Sequence, residues 1–155
     1  MIAVDTNILV YAHRSDCPWH STAAARLAEL GSRRWAIPWP CVHEFLAIAT
    51  HPRVFDPPSP LQDALQAVES WVESSTLTLI SELDGYTEVL LSLLRQAQVT
   101  GPRVHDARIA ALCLQHGISE LWTADRDFSR FPDLVTVNPL QRHPGSDWLG
   151  ATGCP

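Results

Sequence analysis

Four carboxylates are placed where they could do chemistry. Asp5 follows the short apolar run Met1-Ile2-Ala3-Val4, and Asp125 follows Leu121-Trp122-Thr123-Ala124. Glu44 and Asp106 fall in the first turns of helical patterns. Asp106 is the hardest to explain away, because on a helix it shares a face with Ile109, Ala110 and Cys113. A carboxylate aimed at apolar surroundings must cap a helix, pair with a cation or bind a metal, since burying it alone is costly. Each acid has an ordinary reading when taken singly. Asp5 and Asp106 could be helix caps, Glu44 could answer a helix dipole, and Asp125 with Asp127 could shape a polar turn. Brought together, they could not stay unpaired: two like charges ~4 Å apart repel by ~4 kcal/mol at an effective dielectric near 20. A divalent cation relieves that repulsion, and all-oxygen ligands select hard ions such as Mg²⁺ or Mn²⁺. An ion of that kind polarises a phosphoryl oxygen and acidifies water, which suits phosphodiester hydrolysis.

The elements that must position these acids follow from periodicity. Strand-like runs at residues 1–4, 35–37, 77–80, 121–123 and 135–137 alternate with helical patterns. The helices read as 8–12, 21–30, about 40–50, 61–72, about 84–97 and 104–116, the last one apolar almost all round and stopped by Gly117. Ser59-Pro60-Leu61-Gln62 reads as a cap, a proline at N1 and a capping-box glutamine, with Leu61, Leu65, Val68 and Val72 on the inward face. Short apolar strands alternating with helices predict an α/β fold, a three-layer α/β/α sandwich on a mainly parallel sheet of about five strands. Ligands collect at the carboxyl ends of such strands. Asp5 and Asp125 follow strands at that edge, and the helices bearing Glu44 and Asp106 should open on it. Residues 1–140 form one domain in this reading, and 141–155, rich in Gly, Pro, Ser and Asp, a loose tail.

Composition narrows the classes. The 155 residues are 46% hydrophobic and 18% charged, as expected of a globular domain, and no run is long enough to span a membrane. The expected location is the cytoplasm. Four scattered cysteines without a C-x-x-C pair argue against a zinc ribbon or a disulfide framework. There is no H-E-x-x-H, G-x-S-x-G, P-loop or G-x-G-x-x-G. Net charge is −6, and all 11 basic residues are arginines, so nucleic acid would be gripped locally rather than by a global field. Arg14, Arg103, Arg108 and Arg126 are the candidates for phosphate contact. Trp19 and Trp39 fall at loop or helix-entry positions, where they could face a partner or a base, and His105 could touch substrate.

These residues resemble a known family. Asp5-Thr6-Asn7 after an apolar strand, Glu44, Asp106-Ala107-x-Ile109-Ala110 and Thr123-Ala124-Asp125-x-Asp127-Phe128 are similar, in order, to the motifs of PIN-domain ribonucleases of the VapC toxin type. The resemblance covers roughly residues 1–140. It implies a Mg²⁺- or Mn²⁺-dependent endoribonuclease, the toxin of a toxin–antitoxin pair, with a VapB-type antitoxin as partner and a homodimeric assembly. It carries Asp5, Glu44, Asp106 and Asp125 over as the metal-binding and catalytic acids, with Asn7, Thr123 and Asp127 in support. Two other functions compete: a catalytically silent module of the same fold that binds RNA or protein, and a metal-dependent phosphatase.

Overall fold

Short strands that are apolar on both faces belong in the middle of a covered parallel sheet, and that is where they lie. A computed structural model describes residues 1–141. Strand β1 (Ile2–Val4) leads into helices α1 (Thr6–His13) and α2 (His20–Leu30), and β2 (Trp35–Pro38) into α3 (Trp39–Ala49) and α4 (Leu61–Val72). Then β3 (Leu77–Ile80) leads into α5 (Tyr86–Ala97) and α6 (Val104–Gln115), before β4 (Glu120–Trp122) and β5 (Thr136–Val137). The sheet order is β3-β2-β1-β4-β5 and every pairing is parallel.

The chain winds outward from β1 through β2 to β3, then crosses back to β4 on the other side of β1. With right-handed crossovers, that reversal puts α1–α4 on one face of the sheet and α5–α6 on the other. The packing agrees: α1 lies against α2 and α3, and α5 against α6. The result is the expected α/β/α sandwich, with β1 and β2 wholly buried.

Helix α6 is buried along Ala107, Ile109, Ala110, Ala111, Leu112 and Cys113. It ends in a Schellman arrangement, with Ile118 N–H on the Cys113 carbonyl at 2.9 Å and Gly117 N–H on that of Leu114 at 3.1 Å. Gly117 has φ +61°, as that motif requires.

Two expectations need correction. Ser59 does not cap α4; its hydroxyl meets the His13 and Arg14 side chains, and no side chain caps that helix. Leu61 and Val72 are 62% and 52% exposed, because the inward stripe of α4 is centred on Ala64, Val68 and Trp71, of which the expected face held only Val68. Cys41 and Cys113 are buried free thiols. The proposed tail lies, apart from Gln141, outside the described residues. No helix among the described residues is long and apolar enough to cross a membrane.

Candidate active site

The reversal of winding falls between β1 and β4, and a crevice opens there beyond their carboxyl ends. Asp5 is the first residue past β1. It caps α1 with extended backbone, φ −83° and ψ 160°, so the cap reading of the sequence is correct as far as it goes. The carboxylate does much more. Oδ1 accepts from Thr6 N–H at 2.8 Å and faces the Cys41 thiol at 3.8 Å. Oδ2 accepts from the Asn7 amide and the Thr123 hydroxyl, both at 2.7 Å.

Thr123 is the first residue past β4, and its hydroxyl is fully used. It donates to Asp5 and accepts from Asn7 Nδ2 at 3.1 Å and from Asp125 N–H at 3.0 Å. Asn7 Oδ1 accepts from Ala124 N–H at 3.0 Å. Asn7 and Thr123 thus lace the ends of the two central strands together and fix Asp5 between them.

Glu44, one turn into α3, reaches the same crevice, where its Oε2 accepts from the Thr6 hydroxyl at 2.6 Å. Thr6 carries no role in the sequence reading. Its one signal is a hydroxyl directly after Asp5. Asp106 enters from the first turn of α6, which no side chain caps, so for this acid the cap reading fails. Asp125 caps the short 3₁₀ turn Arg126–Arg130 by accepting from Asp127 N–H at 2.8 Å.

Asp5, Glu44, Asp106 and Asp125 all line one cavity of about 170 Å³, with Thr6 and Asn7. Its remaining lining is Val10, Ile48, Ile109 and Phe128, so no basic side chain is among the lining residues. The electrostatics register this. Burial pushes the Asp5 carboxyl up to about 6 against the pull of its Thr123 and Thr6 hydrogen bonds, and Glu44 and Asp125 push it further. The Asp106 carboxyl is also raised to about 6, first by burial and then by Asp125, Asp127 and Glu44. Oxygen donors of like charge around one small cavity form the donor set of a hard divalent cation. Among the described residues, no three of these groups are drawn close enough to hold an ion between them as they stand.

Asp127 lies at the rim, where it pairs with Arg103 at 3.3 Å across half-exposed side chains. Arg108 turns to Glu82 at 2.8 Å and lines a neighbouring cavity, and exposed Arg126 lies on another, beside Asp125. The structure does not bring Arg14 to the acids. It follows the last turn of α1, an eight-residue helix of ~12 Å, at the end opposite Asp5. There it is buried over the Phe55 ring at 4.1 Å, with bonds to Asp16, Ser59 and the Pro57 carbonyl.

The family model described as PIN domain matches residues 2–134. The chain belongs to the PIN-domain family. This PIN domain is 31% identical over 143 residues to ribonuclease VapC33 of Mycobacterium tuberculosis, covering 91% of the chain and 99% of that protein. It is also 31% identical over 142 residues to ribonuclease VapC43 of the same organism, covering 90% and 96%. Among solved structures, VapC20 of M. tuberculosis, described as a sarcin–ricin-loop-cleaving toxin, matches with TM-score 0.63 at 19% identity, covering 83% of this chain and 93% of that one. VapBC2 of Rickettsia felis, solved on a promoter DNA fragment, matches with TM-score 0.64 at 21% identity, covering 88% and 98%.

Proposed function

We propose that this PIN domain is a Mg²⁺- or Mn²⁺-dependent endoribonuclease and the toxin of a toxin–antitoxin pair. One observation carries the reading: four carboxylates and no cation surround a single cavity at the switch point of the sheet. VapC relatives named as ribonucleases at 31% identity support RNA as the substrate. Asp5, Glu44, Asp106 and Asp125 would hold the ion, in part through water. When bound, Mg²⁺ or Mn²⁺ supplies Lewis-acid polarisation of a phosphoryl oxygen and lowers the pKa of water.

The chain's own residues do the positioning. Thr6, Asn7 and Thr123 hold the Asp5 carboxylate through three hydrogen bonds of 2.7–2.8 Å. The Thr6 hydroxyl also orients Glu44, so the two acids are set by one residue. Val10, Ile48, Ile109 and Phe128 give the cavity an apolar side that limits water and strengthens the fields inside it. A VapB-type antitoxin and a second copy of the chain are the proposed protein partners, the former supported by neighbours solved as toxin–antitoxin complexes. Co-purification of a small protein encoded next to this chain would support the antitoxin, and good expression of the chain alone without toxicity would count against it.

The decisive assay is cleavage of RNA by the purified chain with Mg²⁺, with and without EDTA. Asp5→Asn and Asp106→Asn should each abolish cleavage while the circular dichroism spectrum is kept. Undiminished cleavage by Asp106→Asn sinks the proposal. Turnover of small phosphate esters without cleavage of RNA would favour the phosphatase.

A further inference from the structure

The acidic cavity does not end at the acids. Beyond Glu44 and Ile109, which it shares, a second cavity of about 330 Å³ runs between α3 and α6. Its walls are His43 and Ala47 from α3 and His105 and Arg108 from α6. One turn before His43, the Trp39 ring lies against the imidazole, centroids 5.7 Å apart and planes 31° from parallel. Trp39 is 40% exposed, so the core does not account for its place. The Arg108 guanidinium is held by Glu82 through Nε at 3.3 Å and Nη2 at 2.8 Å, which balances its charge and leaves a planar group on the wall. Glu44 on the same wall would repel a phosphate, and Glu82 already occupies the Arg108 guanidinium, so the flat rings and hydrogen-bonding edges are left for a neutral group. They are the groups that stack on and hydrogen-bond an unpaired base. The volume falls in the range of ordinary ligand pockets.

We propose that this cavity is a nucleobase subsite, in which one base of single-stranded RNA beside the cut bond stacks on His43, backed by Trp39, with His105 and Arg108 at its edge. The inference rests on the ribonuclease reading of the acidic cavity. Specificity for the cut site then resides in α3 and α6, next to the acids but separate from them.

The test uses the full chain and a short synthetic RNA that spans a mapped cut site, beside copies made abasic at each nucleotide flanking it. Trp39→Ala and His43→Ala should raise KM about tenfold or more with kcat nearly kept, and Trp39→Phe should retain most of the affinity. One abasic position should weaken binding to an Asp106→Asn chain by a similar factor, and add no loss once Trp39 is also alanine. Equal binding of intact and abasic RNA, or unchanged KM in both alanine variants, overturns the subsite. Failure of the wild-type chain to cut any RNA overturns the ribonuclease reading instead, and the binding comparison on the Asp106→Asn chain still decides whether the cavity takes a base.

Discussion

Burial first, and the neighbouring acids after it, raise the Asp5 and Asp106 carboxyls from 3.8 to about 6 each. A carboxyl with a higher pKa folded than unfolded binds more protons in the native state between those two values. Stability therefore falls as pH rises from 3.8 to about 6 and stays reduced above that. For Asp5, 4% exposed, the deficit is about 3 kcal/mol; half-buried Asp106 adds a smaller, screened part. Asp106→Asn keeps the shape and removes one charge, so the ion-free variant should melt a few degrees above wild type near pH 7.5. The gain should shrink as pH falls through about 6 and vanish only below 3.8, and added Mg²⁺ should stabilise wild type more than the variant. Melting of Asp106→Asn below wild type in EDTA at pH 7.5 would refute this account of the site. The conflict on Asp106 was legible in the sequence because three apolar neighbours share its helical face. Thr6 was not, because a hydroxyl beside an acid has too many ordinary uses until its partner, 38 residues away, is known.

Helices set how firmly each acid is mounted, and α6 and α4 show what local sequence can and cannot specify. In α6 a long apolar run and a left-handed glycine agree with the buried environment, so type, extent and stop could all be read. In α4 the Ser-Pro-Leu-Gln signal is outcompeted, since Ser59 serves buried Arg14 and the helix turns a different stripe inward. Arg14 misleads for a related reason: nearness to Asp5 in sequence becomes a full helix length in space. The glycine stop is directly testable. A Cβ at Gly117 would meet nothing within 4 Å, so Gly117→Ala feels only the strain of φ +61°. It should lower unfolding free energy by about 1 kcal/mol, seen as a lower urea midpoint with unchanged slope. The acids sit at the other end of α6, so kcat on RNA should be kept. A loss of activity larger than the loss of stability would show that the end of α6 controls its beginning.

At the scale of the molecule, convergence of the acids is a property of sheet order, which no local pattern reveals. Asp5 and Thr123 are 118 residues apart and meet only because β4 returns to pair with β1 rather than extending the sheet past β3. The same whole-molecule view limits how RNA can be held. Net charge is −6, and four arginines among the described residues already pair with acids: Arg14, Arg26, Arg103 and Arg108. Two of those, Arg103 and Arg108, line cavities that share Glu44 with the acidic one, and each must exchange a carboxylate for a phosphate to contribute. Such exchange releases few counterions, because the arginine was neutralised before RNA arrived. Affinity should then rest mainly on the bound ion and on base stacking, neither of which scales with phosphate count. For two phosphates or fewer, log affinity should fall against log salt with a slope of roughly −1.4 or shallower. Titration of a short RNA with the Asp106→Asn chain at about 50 to 200 mM salt measures it. Asp127→Asn frees Arg103 from its partner at 3.3 Å and should steepen the slope by about 0.7. A wild-type slope steeper than about −3 would mean that an extended basic track, rather than the ion and the stacked base, holds the strand.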